Sequence, residues 1–165
     1  MNDEEQYAGD SGDEELSPAE ALEDLLEEVT AGLGLDADIE IDERDGVLTG
    51  RVEAGDAGLF IGRHGQTIDA VQHLAQRIVF PEGPSPVRVV VDANGYRDRR
   101  AETLRADADD AAEEAVSSGK PVELAPMPAS ERRIVHEYLR ERGGVETHSE
   151  GNEPERRLVV SPLPG

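Results

Sequence analysis

The tetrapeptide Gly62-Arg63-His64-Gly65 constrains this chain more than any other stretch. It lies between the apolar run Gly58-Leu59-Phe60-Ile61 and the residues Ile68, Val71, Leu74, Ala75 and Ile78, whose spacing marks the buried face of a helix. Glycines three apart let the backbone turn sharply and approach a ligand with no Cβ in the way. The chain therefore turns between two helical segments, and the second presents free N–H groups at its start.

The flanking sequence fixes the order of elements. Ser17-Pro18-Ala19-Glu20 supplies an N-cap, a proline at the first helical position and a glutamate placed to close a capping box. Leu22, Leu25, Leu26, Val29 and Leu33 follow at helical spacing, and Gly32 and Gly34 stop the helix. Ile39 and Ile41 alternate with acids, Asp45-Gly46 signals a hairpin turn, and Val47 to Val52 reads as the returning strand. After a loop from Pro81 to Pro86, Val87-Arg88-Val89-Val90-Val91 is a β-branched strand. Residues 17–93 thus read α-β-β-α-α-β.

Asn94-Gly95 then punctuates the chain. A helix from Tyr96 to about Val116 carries Leu104, Ala108, Ala111, Ala112, Ala115 and Val116 as its apolar stripe and ends at Gly119 and Pro121. Pro128 opens another helix through Arg142, with Ile134, Val135, Tyr138 and Leu139 as core candidates, and Gly143-Gly144 ends it. Leu158-Val159-Val160 is the closing strand, so residues 94–162 read α-α-β with a connecting loop. Residues 1–16 are acidic, lack apolar periodicity and read as a disordered tail.

A net charge of −22 over 165 residues argues at first against a nucleic-acid partner. The distribution reverses that reading. Residues 1–28 hold twelve acids and no base, whereas residues 58–105 hold seven arginines against five acids and residues 130–165 hold six against seven. Two arginine-rich islands stand in an acidic chain, and screening over about 8 Å at physiological salt lets an island bind anions on its own. The absence of cysteine removes disulfides and thiolate zinc sites and suits a reducing compartment. With no signal peptide pattern or membrane-length apolar run, the expectation is a cytoplasmic protein that does not insert into membranes.

The glycine turn can cradle a phosphate, with Arg63 and His64 adding charge or hydrogen bonds from its tip. Arg132 and His136 in Glu131-Arg132-Arg133-Ile134-Val135-His136 are four apart, share a helical face and could grip one phosphate side by side. Arg133 and Arg156 are secondary candidates. Catalytic readings do not hold up. The P-loop spacing and its lysine are missing, His136-Glu137 lacks the second histidine of a zinc helix, and the four histidines have no ligand spacing, so no enzyme, cofactor or metal is expected.

The element order around Gly62-Arg63-His64-Gly65 resembles a type II KH domain over 17–93. The sequence around Arg132 and His136 resembles the Arg-x-x-x-His, or R-three-H, domain over 94–162: Tyr96-Arg97, Arg99-Arg100, Pro126-Met127-Pro128, Thr147-x-Ser149-x-Gly151 and Glu153-Pro154-x-Arg156 accompany the motif. The fold class implied is α+β. For the KH part, the resemblance implies a loop that clamps single-stranded nucleic acid and an aliphatic groove for the bases, to which Ile61, Ile68 and Val71 would contribute. That use suits a chain with no Trp and only five Phe and Tyr. The two domains in this order resemble the bacterial Jag family. The resemblance implies a single-stranded RNA-binding protein and RNA chaperone with a small KH-domain partner of the KhpA kind or a homodimer, linked to cell elongation, cell shape and peptidoglycan homeostasis. Single-stranded DNA as ligand, and a protein–protein scaffold that dimerises through the KH fold, are the alternatives.

Overall fold

A computed structural model describes residues 16–164. The tail expected over 1–16 therefore lies, Leu16 apart, outside the described residues. Ser17 caps α1 (Pro18–Gly32) through the expected capping box: its Oγ accepts from the Glu20 N–H at 3.3 Å, and its own N–H donates to Glu20 Oε2 at 2.9 Å. Strands β1 (Ala37–Arg44) and β2 (Val47–Ala54) form an antiparallel hairpin whose two-residue turn places both Asp45 and Gly46 at positive φ. A four-residue helix α2 (Gly58–Ile61), a 3₁₀ turn (Arg63–Gly65) and α3 (Gln66–Val79) then cross to β3 (Arg88–Ala93), which pairs parallel to β2. The sheet order is β1-β2-β3.

One face of this sheet carries Leu48, Val52, Val89 and Val91 against Leu22 and Leu26 of α1 and Ile68, Val71 and Ala75 of α3, with Phe60 of α2 fully enclosed. Each buried aliphatic stabilises by about 1.5–3 kcal/mol, so this face holds the first half together. Gly50 lets α1 lie directly on β2: a Cβ there would sit 2.5 Å from Leu26 Cδ1. Leu74 and Ile78 depart from the expected buried face of α3, being 53 % and 49 % exposed, because the helix turns Val79 inward instead. The outer edge of β3 is closed by α3 and α4. Gln76 Oε1 accepts from the Val89 N–H (2.8 Å), its Nε2 donates to the Val87 carbonyl (3.3 Å), and Gln72 Oε1 accepts from the Val91 N–H (3.1 Å).

The second half packs α4 (Tyr96–Ser118) and α5 (Ala129–Arg142) on a three-stranded antiparallel sheet of order β4-β6-β5, formed by β4 (Val122–Glu123), β5 (Val145–Glu150) and β6 (Arg157–Pro162). The alanines at 108, 111, 112 and 115 let α4 sit close to Leu158 and Val160, and Val135 and Leu139 of α5 complete the core. Two strands thus join the single one expected. Val116 is also 56 % exposed, at the solvent border of the stripe. Helices and strands in this arrangement make an α+β fold.

Candidate nucleic-acid interface

Both glycines of the turn are required by geometry. Gly62 has φ +73°, and a Cβ there would stand 2.2 Å from Thr67 Oγ1; Gly65 has φ +76°, and a Cβ would stand 2.9 Å from Tyr96 Cε1. Between them Arg63 projects into solvent, with no ion pair among the described residues, and His64 takes φ +52°. Among the described residues no side chain caps the start of α3, so its first N–H groups remain electropositive beside Arg63. Ile61 is half-buried next to the turn. Ile68 is 0 % exposed and Val71 5 %, which corrects the expectation that they wall a base groove: both belong to the core. Leu59, 65 % exposed beside the turn, is the apolar surface the sequence reading passed over.

The back of the turn is held by α4. Tyr96 packs on Gly65, and burial, reinforced by the Glu131 carboxylate, pushes its phenol above the usual range. Arg97 donates to Asp69 Oδ1 (2.9 Å) and Gln72 Oε1 (3.0 Å) of α3 and to the Val91 carbonyl (2.8 Å). Arg100 donates through Nε and Nη2 to the two carboxylate oxygens of Glu131 at 2.7 and 2.9 Å, and Nη2 also lies 3.3 Å from His64 Nδ1. The sequence hinted at this joint only through the cluster of arginines at the start of α4.

On α5 the motif residues line one shallow cleft of about 360 Å³ with Thr147, His148 and Ser149 of β5. His136 is exposed and its Nδ1 meets Thr147 Oγ1. Arg132 is not the free cation that the spacing suggests. It is 8 % exposed, its Nη1 donates to the Met127 carbonyl at 2.7 Å and its Nη2 to Glu153 Oε1 at 2.6 Å, so the guanidinium ties two loops beneath the cleft. Arg132 in turn holds the Glu153 carboxyl below the usual carboxylate range, with a smaller pull from Arg156. Arg133 is exposed and paired with Glu137 (2.8 Å), and Arg156 is half-buried beside the Gly151 carbonyl (3.5 Å).

A second cleft, of about 850 Å³, runs between the two motifs. Arg63, His64, Gln66 and Asp69 form one wall, while Ala125 to Ala129 and Glu153 to Glu155 form the other. Ala129 borders both clefts, so the glycine turn and the motif helix open onto neighbouring surfaces. Among the described residues there is no cluster of potential metal ligands and no helix long and apolar enough to cross a membrane.

A glycine turn between two helices on a β1-β2-β3 sheet, followed by a small α/β unit bearing Arg132 and His136 on one helix, defines a protein of the KH plus R-three-H class. Residues 19–91 match the KH domain of KhpA/KhpB, and residues 102–162 match the R-three-H domain. The chain is 43 % identical over 141 residues to RNA-binding protein KhpB of Lactiplantibacillus plantarum, covering 86 % of this chain and 44 % of that protein. It is 34 % identical over 140 residues to RNA-binding protein KhpB of Clostridium symbiosum, covering 84 % of this chain and 63 % of that one. Against RNA-binding protein KhpB of Bacillus subtilis it is 30 % identical over 150 residues, 90 % of this chain and 72 % of that one. The chain belongs to the KhpB family, also called the Jag family, and it spans less than two thirds of the first two relatives.

Proposed function

We propose that this protein binds single-stranded RNA with two neighbouring surfaces, the turn of a KH domain over 17–93 and the motif helix of an R-three-H domain over 94–162. The observation that carries the reading is Arg63, a cation with no ion pair among the described residues, at the tip of a glycine turn beside the start of α3 and facing a cleft whose other wall is formed by the loops that flank the second motif. Relatives named RNA-binding proteins support it. Gly62 and Gly65 let the phosphate backbone approach, Arg63 and His64 contact it, and Ile61 with Leu59 offers apolar surface to a base. His136 and Arg133 provide the second contact. Arg132 acts by holding the loops that shape that surface, and Arg156 by steadying one of them.

The protein is proposed to be cytoplasmic, to use no cofactor and to catalyse no reaction. The family resemblance supports the finer reading of an RNA chaperone tied to cell elongation, cell shape and peptidoglycan homeostasis. A small KH-domain protein of the KhpA kind, or a second copy, as partner is favoured by the exposed Leu74 and Ile78 on α3. The test is fluorescence anisotropy with short single-stranded RNA, matched DNA and duplex across a salt series, for wild type and Arg63→Asp, His64→Asp. Single-strand binding that the double variant loses is the expected result, and the RNA and DNA arms rank the two ligands. Failure of the folded wild type to bind at low salt, together with protein partners that survive nuclease treatment, would overturn the reading in favour of a scaffold.

A further inference from the structure

We infer that Arg100, which lies outside both motifs, is a positioning residue for the KH turn: it holds His64 with Nδ1 as acceptor and the ring proton on Nε2, so that His64 meets RNA as a directed hydrogen-bond donor. The inference rests on the RNA-binding reading of the turn. Its foundation is the geometry of a single guanidinium. Glu131 is almost wholly buried and engages Arg100 bidentately, which fixes the plane of the fork. The Nη2 atom carries two hydrogens, one directed at Glu131 Oε2 and the other available to His64 Nδ1 at 3.3 Å. A guanidinium has no acceptor and stays protonated at any relevant pH, so its partner nitrogen must accept. Nδ1 is therefore bare and the ring proton resides on Nε2. A proton on Nδ1 would point at the guanidinium N–H, losing the hydrogen bond and setting two donors against each other.

The surroundings of His64 fit this assignment. Asp69 of α3, Tyr96, Arg97 and Arg100 of α4 and Glu131 of α5 line the same pocket. The two carboxylates are each paired with an arginine, Asp69 with Arg97 at 2.9 Å and Glu131 with Arg100 at 2.7 Å, which leaves Arg100 as the group that meets Nδ1. On its other side His64 borders the 850 Å³ cleft beside Arg63. Arg63 supplies charge to the ligand. His64 supplies direction, an Nε2–H suited to a phosphate oxygen or to a carbonyl on a base edge. Because Glu131 sits in the first turn of α5, one residue before Arg132, the same contact also ties the KH turn to the second motif helix.

The experiment uses the full chain. Side-chain ¹⁵N spectra of the histidines assign the tautomer of His64 by comparison with His64→Ala, and anisotropy measures a short single-stranded RNA of about four nucleotides, the length a KH turn clamps. Arg100→Gln is the test variant, with Arg100→Lys, which keeps a cation but not the planar fork, beside it. The expected result is an Nε2–H tautomer in wild type that becomes a mixture in Arg100→Gln. Binding should be about three- to tenfold weaker for both Arg100→Gln and His64→Ala, the range of one neutral hydrogen bond, and the double variant should be no weaker than either. An Nδ1–H tautomer in wild type, or losses that simply add, would overturn the inference. If wild type binds no RNA the functional reading fails, while the spectra still decide the tautomer. Thermal melting separates a folding defect from a binding defect, since Arg100→Gln leaves Glu131 without its bidentate partner.

Discussion

Three glycines at positive φ differ in what a side chain would meet, and that difference orders the effects of replacing them. Gly34, at φ +69°, faces open space, whereas Gly65 faces Tyr96 at 2.9 Å and Gly62 faces Thr67 at 2.2 Å. Alanine at each takes on the left-handed backbone cost of about 1–2 kcal/mol, to which the overlap adds. Urea unfolding should therefore rank Gly62→Ala as most damaging, then Gly65→Ala, then Gly34→Ala, and only the first two should also weaken RNA binding. The Arg132–Glu153 pair makes a different prediction, of pH dependence. The Glu153 carboxyl is held below its usual range by Arg132, so its contribution to stability is complete above the unfolded glutamate value of about 4.3 and is lost as pH falls through the lower folded value. Melting temperatures between pH 7 and pH 3 should fall in wild type, and Glu153→Gln should flatten the lower part of that curve. An unchanged slope in the variant would assign the acid loss to other carboxylates, of which Glu20 and Glu137 are also held low, by Ser17 and Arg133 respectively.

At the scale of elements, the edge of β3 shows how side chains can finish a sheet. Gln76 satisfies both the Val89 N–H and the Val87 carbonyl, so Gln76→Ala leaves two backbone groups of an outer strand without partners. A cost of about 1–3 kcal/mol is expected if water does not replace them. Hydrogen exchange at Val89 should quicken well beyond any change at Leu48, which lies in the central strand. The helices and the first hairpin were legible in the sequence because their signals are local: a capping box at Ser17, Asp45-Gly46 at the turn, glycines after α1, α4 and α5 and Pro81 after α3. Strand β5 was not. Its Val-Glu-Thr-His-Ser-Glu does alternate in burial, with Val145 buried and Thr147 and Ser149 half-buried, but two of the three inward positions carry hydroxyls, so the sequence lacks the apolar-polar alternation that marks a half-buried strand. The two residues of β4 are too few to carry any pattern. The exposure of Leu74 and Ile78 was hidden for a related reason: a helical stripe tells which residues share a face, not how far the packed elements extend over it. The burial of Arg132 was equally invisible, since its carboxylate partner lies 21 residues away on a loop whose course depends on β5 and β6.

The whole molecule carries −22, yet the proposed RNA surface is built around exposed Arg63 and Arg133, and these two facts act over different distances. Contacts at the surface release counterions, so binding should weaken with salt at a logarithmic slope of about −0.7 for each phosphate neutralised on a single strand. Arg63→Gln should remove about one such unit and leave the remainder. Residues 1–16 carry seven acids and no base, and the expected effect of that charge on an anionic ligand is a long-range one. A field reaches about 30 Å at 0.01 M salt but only about 8 Å at 0.15 M. Removing residues 2–16 should thus strengthen RNA binding about two- to fivefold at the lower salt and leave it nearly unchanged at the higher, the opposite trend to Arg63→Gln, whose effect belongs to a contact. Anisotropy titrations of both variants at the two salt concentrations check this. A gain on truncation that persisted at 0.15 M would mean that the acidic segment competes with RNA directly at the surface, and the long-range account of the charge would have to be given up.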